Sequence, residues 1–177
     1  MVKPITLLPF DPYNQTDLDF AYETMEYRWN KKDSINIKYK TSADLPNRLE
    51  AECIFRSEKI KHMYNIYFGF TKIGIIFIDI DDNISEFLLP KLIKKAIKKY
   101  RQDSPGHKNI SLSALIHMTF FKKHPEITRY YASANPFNSL SINAMVKNGY
   151  EPIEIVYTMA TENGIPKQGP WKDYIID

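Results

Sequence analysis

Among the chain's 21 carboxylates and four imidazoles, a few stand where they could move a proton. Asp79, Asp81 and Asp82 crowd into the run DIDDN, and Glu86 follows shortly after. Of the four histidines, His107 and His117 draw notice because imidazole titrates near neutral pH. His107 falls in a loop, where binding and catalytic side chains concentrate. His117 stands in the apolar stretch LSALIHMTFF and reads as a satisfied core residue. The three aspartates read as turn formers, and Glu86 reads as solvated surface. The spacing of the histidines matches no metal-binding pattern, so no metal site is expected. A second kind of chemistry comes from backbone. NPFNSLSINAMVKNGY, residues 135–150, opens as a loop, continues as a short helix and stops at Gly149 before Tyr150 turns back toward a strand. The free N–H groups of such a helix face whatever lies beyond the strand ends, a place for a ligand rich in acceptor atoms.

These residues need elements to position them. Ile5–Leu8 reads as a strand ended by Pro9. Thr16 with Asp19 resembles a capping box, and Leu18, Tyr22, Met25 and Trp29 predict a helix over 17–29. KKDSINIKYKTSAD reads as a loop. A second helix is expected over 43–58, capped by Ser42, with Leu45, Leu49 and Ile54 on one face. Met63–Phe68 and Ile73–Ile80 flank a tight turn at GFTK, the clearest hairpin in the chain. In 84–101, ISEFLLPKLIKKAIKKYR, apolar positions from Leu88 to Tyr100 recur at helical spacing and predict an amphipathic helix. A loop follows, then a helix over 111–123, a strand over 128–134, a short helix over 141–149 and a strand over 153–160. TENGIPKQGPW reads as a turn and KDYIID as a closing strand. Strands alternating with helices give an α/β class.

Composition narrows the field. The chain has 177 residues, 44% of them hydrophobic and 14% aromatic, which suits one cored globular domain over 1–177 and not a disordered chain. A net charge of +3 does not by itself imply nucleic acid. No apolar run approaches the ~18 residues that a membrane-spanning helix needs. Cys53 is the sole cysteine, so no internal disulfide framework exists and a reducing, cytoplasmic compartment is the default. In its apolar context AECIF it is expected in the core.

The run 138–150 resembles the closing motif of the GCN5-related N-acetyltransferases (GNAT). Asn138 matches the asparagine that borders coenzyme A in that family, Ser141 matches its helix-start serine, and Gly149-Tyr150 matches its Gly-aromatic pair. LSALIHMTFFKKHPEITRYYASA looks like the family's run from main helix to next strand. IEIVYTMATENGIPKQGPWKDYIID is similar to its last two strands, and ITLLPFDPYNQTDLDFAYETM resembles its first strand and helix. The resemblance is good over 105–177 and weak over 1–83. Two positions depart from the pattern. The family's phosphate cradle, Gln/Arg-x-x-Gly-x-Gly/Ala, is met here by RQDSPGHKNIS. Arg101 and Gly106 are present at a different spacing, and Lys108 stands where a small residue belongs. Met145 stands where the family often has a tyrosine that protonates the leaving thiolate.

The resemblance implies a single-domain α/β fold with a mixed, mostly antiparallel sheet, helices on both faces and a V-shaped opening. It implies an acetyl-CoA-dependent N-acetyltransferase acting on a primary amine, with acetyl-CoA as co-substrate against Gly106, His107, Lys108, Asn109, Asn138 and Ser141. The acid–base work would fall to Glu86 and His107, with Asp81 and His117 behind them. The partner would be a small-molecule or peptide amine. No membrane or nucleic acid is expected, and a homodimer is left open. Two rival assignments compete: a GNAT-fold binding or regulatory module without catalysis, and a nucleic-acid-binding domain using the Lys-rich 91–101 segment, whose ordinary role would be a solvated helix face.

Overall fold

The computed structural model describes residues 4–39, 47–103, 112–134, 151–162 and 165–176. The elements run β1 (Ile5–Pro9), α1 (Gln15–Tyr39), α2 (Arg48–Phe55), β2 (Ile60–Phe68), β3 (Thr71–Asp79), β4 (Ile84–Leu88), a 3-10 turn (Pro90–Ile93), α3 (Lys94–Asp103), α4 (Leu112–Lys123), β5 (Tyr130–Ala134), β6 (Glu151–Glu162) and β7 (Ile165–Ile176). β1-β2-β3-β4 form an antiparallel sheet, and β5-β7-β6 form a second. The expected hairpin is β2–β3. Its two-residue turn places Gly69 at φ 60°, the left-handed conformation that a tight hairpin requires.

Two apolar layers cover the four-stranded sheet, as the resemblance implied. On one face Leu18, Ala21 and Met25 of α1 and Ala51 and Phe55 of α2 pack on Phe10 and Ile75. On the other, Ile116 and Phe120 of α4 pack with Ile66, Ile73, Ile76 and Ile78. β3 serves both layers, which is why its centre is an almost unbroken apolar run. The pairing of β2 with β3 steps from Ile66↔Gly74 to Tyr67↔Lys72. The extra residue is Ile73, and the bulge turns it toward the α4 layer. Gly74 lies opposite Leu88. A Cβ there would collide with the Phe87 carbonyl oxygen and stand 2.8 Å from Leu88 Cδ2, so glycine is what lets β4 close on β3.

Several sequence expectations change. Residues 84–88 are strand β4, and the helix begins only after Pro90. The alternation of Ile84, Glu86 and Leu88 toward one face was hidden because Leu88 and Leu89 also fit the helical spacing of the residues after them. α1 extends to Tyr39 through residues expected as loop. It is opened by Asn14, whose Oδ1 accepts from the Asp17 N–H at 3.1 Å, and not by Thr16. α2 starts at Arg48, not at 43, with Asn47 and Glu50 closing a reciprocal capping box. Leu49 and Ile54 are exposed while Ala51 and Phe55 face the core. Cys53, two residues from each of those inward positions, points to solvent, as a helix turning 100° per residue demands. Residues 165–171, expected as turn, belong to β7. The helix expected over 141–149 lies outside the described residues.

Polar groups inside the α1 layer converge on Asp17. Its carboxylate accepts from the Asp11 N–H at 3.0 Å, Asn65 Nδ2 at 3.0 Å and Lys72 Nζ at 2.8 Å. Burial alone would raise its pKa, but these donors together hold it below the ordinary aspartate value. Among the described residues no helix is long and apolar enough to cross a membrane.

Candidate functional site

β4 and β5 run parallel and touch at their first residues. Asn83 bridges Tyr131, and the Tyr131 N–H donates to the Asp82 carbonyl at 2.9 Å. Beyond that bridge each strand pairs elsewhere, β4 with β3 and β5 with β7. The two strands therefore part in a V that opens toward Leu88 and Ala134. The turn that closes its narrow end is built on Asp79, whose Oδ1 accepts from the N–H groups of Asp81 and Asn83 at 2.9 Å each. Asp81 and Asp82 belong to this turn, with Asp82 at φ 62°. That leaves Glu86 as the carboxylate on the strand itself.

Glu86 faces α4. Alternation along β4 sends Ile84, Glu86 and Leu88 to that side and Phe87 to the other, where Phe87 packs with the α1 layer. One helical turn apart on α4, Ser113 and His117 meet it. Ser113 Oγ donates to Glu86 Oε2 at 3.3 Å, and His117 Nε2 lies 3.1 Å from the same oxygen, off the line of a hydrogen bond. Both ionisable side chains are largely shielded, Glu86 at 15% exposure and His117 at 12%. The His117 ring meets Tyr130 of β5 edge-on at 6.2 Å, and Phe121 stacks on Tyr130 at 3.8 Å. A carboxylate with an imidazole beside it is a group of the kind that serves as a general base. The sequence singled out both residues but not their pairing. His117 is largely shielded among the rings of Phe121 and Tyr130, close to the core placement expected, with the Glu86 carboxylate beside it.

Beside the same layer lies a groove of about 690 Å³ lined by Lys91, Lys94, Ile97, Lys98, Arg101, Gln102 and Leu112. Leu112 opens α4, so the groove adjoins that helix's N-terminus. Lys91 Nζ sits 4.2 Å over the Tyr27 ring. α3 buries none of its residues, as a solvated helix face would, yet its cations line a concavity. Four cations and a helix N-terminus favour anionic oxygen, phosphate above all. Gly106, His107, Lys108 and Asn109, and likewise Asn138, Ser141 and Met145, lie outside the described residues. In the chain they follow α3 and β5, the two elements that end beside the groove and the V.

The same overall fold occurs in solved structures. An aminoglycoside acetyltransferase, AAC(6')-Ib, solved with coenzyme A and kanamycin, aligns with a TM-score of 0.59 at 16% identity, covering 97% of this chain and 94% of its own. The spermidine N-acetyltransferase from Vibrio cholerae, solved with CoA and spermine, aligns at 0.58 with 14% identity over 98% and 95%. The GNAT-family acetyltransferase from Bacillus anthracis aligns at 0.56 with 15% identity over 99% and 96%. The fold is that of the GNAT acetyltransferases. No protein-family model matches the sequence, and no curated protein matches it either. At these identities the GNAT likeness is one of backbone.

Proposed function

We propose that the chain transfers an acetyl group from acetyl-CoA to a primary amine, with Glu86 as the base. The observation that carries this is the parting of β4 and β5 over a paired Glu86 and His117, in a GNAT fold. The groove supports it. Lys94, Lys98 and Arg101 form no ion pair among the described residues, so their charge is available to a polyanion. Lys91, Lys94, Lys98 and Arg101 would hold the phosphates of coenzyme A, joined by Lys108 and by the backbone of Gly106, His107 and Asn109. Asn138 and Ser141 are assigned to the same ligand from the sequence motif.

Acetyl-CoA, when bound, supplies an activated acetyl thioester. The chain's own part begins with the acceptor, which is an ammonium at neutral pH and must lose a proton before it can attack. Glu86 takes that proton and becomes the neutral acid, leaving the amine free to attack, with His117 beside it. Ser113 fixes the carboxylate by donating to Oε2. Tyr130 and Phe121 stack beside His117 and give the site an aromatic wall. His107 is a second proton-transfer candidate from the loop after α3.

The test is release of free coenzyme A from acetyl-CoA against a panel of amines. Kanamycin and spermine are the first acceptors to try. Thioester cleavage that depends on an added amine supports the assignment. Binding of acetyl-CoA with no turnover on any amine would favour the non-catalytic module, and no binding would remove the proposal.

A further inference from the structure

Where β2 meets the chain just after α4, three side chains with metal-ligating atoms come together. His62 lies some sixty residues before the other two, which are two residues apart, and the candidate active site uses none of them. His62 comes from β2, His124 from the residue after α4, and Glu126 from the turn that follows. One donor atom from each lies within 4.8 Å of the other two. We propose that His62, His124 and Glu126 form a binding site for a zinc-class divalent metal ion that ties the end of α4 to β2.

The geometry suits such an ion. Glu126 Oε1 lies 2.9 Å from His124 Nδ1 and 3.7 Å from His62 Nε2. Ligands on a tetrahedral zinc at ~2.0–2.1 Å are about 3.3 Å from one another, so the observed separations straddle that edge. The two imidazoles stack at 3.9 Å with 27° between planes, so the partly exposed His62 ring must swing out of the stack for both lone pairs to meet one ion. Two imidazoles and one carboxylate form a mixed nitrogen–oxygen set that zinc takes and that magnesium or calcium, which want oxygen throughout, do not.

The surroundings pre-organise the set. His124 is buried, and its other ring nitrogen, Nε2, lies 2.6 Å from the Tyr64 hydroxyl. A hydrogen bond on the far nitrogen is the usual support of a metal-binding histidine, because it fixes the ring and leaves the near nitrogen for the ion. The backbone is pinned as well: the His124 N–H donates to the Phe120 carbonyl at 3.0 Å, and the Ile127 N–H donates to the His124 carbonyl at 3.1 Å. His62 and Glu126 remain partly open to solvent, at 29% and 56%, so an ion has a path in and a water can complete its shell. The opposing cations are Lys61, which pairs with Asp82 at 3.4 Å, and Lys123, whose Nζ lies 5.5 Å from the centre of the Tyr64 ring.

The site is a clamp and not a reaction centre. Tyr64 and Glu86 share a row across the sheet with Ile76 between them, and His62 lies one row farther toward the closed end. Two strand spacings put Tyr64 about 10 Å from Glu86. The proposal is therefore independent of the acetyl-transfer assignment.

The experiment uses full-length, tag-free protein stripped with a chelator and titrated with Zn²⁺, then with Co²⁺ to read the absorption of a tetrahedral ion. Expected are one equivalent bound, a rise in Tm on Zn²⁺ addition and an intense visible Co²⁺ band. His62→Ala and Glu126→Ala alter partly exposed positions, so both variants are expected to fold, and each should weaken Zn²⁺ binding at least tenfold. Tyr64→Phe, which keeps the ring but removes the hydroxyl, should weaken it about tenfold. No stoichiometric binding, or binding unchanged in both His62→Ala and Glu126→Ala, overturns the proposal.

Discussion

The sheet layer under α4 has two regions that treat charge differently, one at β2 and one at β4. At the closed end polar groups answer one another: Tyr64 meets His124, His124 meets Glu126, and Asp79 accepts from the turn that follows it. Burial, with the adjacent His124, holds His62 below the ordinary imidazole range, and burial pushes the Tyr64 hydroxyl up. At the open end Glu86 and His117 meet out of line, and the cations of α3 line a groove with no carboxylate among its lining residues. Unmatched charge is costly to hold together unless something else arrives to share it. On the proposed assignments, the open end suits a polyanion and the closed end, whose polar groups already face one another, suits a small ion.

The largest blow to the open end would come from Glu86→Gln. Loss of a general base should cut amine-dependent turnover on the order of 10²–10⁴-fold while leaving coenzyme A affinity unchanged, measured by thioester release and by calorimetry. If turnover survives, the base is elsewhere and the two ends differ less than described. Gly74→Ala attacks the seam that positions Glu86. Forcing a methyl group against the Phe87 carbonyl should cost about 1–3 kcal/mol in denaturant unfolding, and an unchanged midpoint would mean β4 does not depend on that close approach. Lys94→Ala combined with Arg101→Ala should weaken coenzyme A binding by about tenfold and flatten its salt dependence, with the melting temperature little changed. Equal loss at high and low salt would show that the groove is not where the phosphates lie.

The smallest effect lies on the α1 face and serves as a control. Asp17 has its pKa lowered in the folded chain, so it contributes stability above its unfolded value, and that contribution is lost as pH falls through its lowered folded one. Asp17→Asn should flatten the acid limb of a stability-versus-pH curve below about pH 4 without moving either region of the layer under α4. A change in turnover or in Zn²⁺ binding would show that the two faces are coupled.

Much of the scaffold was legible because it rests on local pattern. The β2–β3 hairpin announces itself through a glycine turn between apolar runs. The strands at 130–134 and 151–162 also stand where alternation and turn residues put them. β4 was not legible: five residues of alternation are outweighed by the thirteen-residue helical stripe from Leu88 to Tyr100. Cys53 misled because an apolar neighbourhood in sequence says nothing about which way a short helix is turned. Glu86 was found as a carboxylate after the hairpin. Its pairing with His117, 31 residues on, depends on α4 crossing β4 at one register, which no local pattern encodes. The His62, His124 and Glu126 cluster has the same cause, since β2 and the end of α4 meet only through the tertiary fold.

The outward turn of Cys53 has a bearing on how the protein behaves in air. One thiol per chain, projecting from α2 into solvent, can join a second copy but can never branch. Oxidation of this chain must therefore stop at a covalent pair, and any larger disulfide-linked species in a non-reducing gel would have to contain another protein.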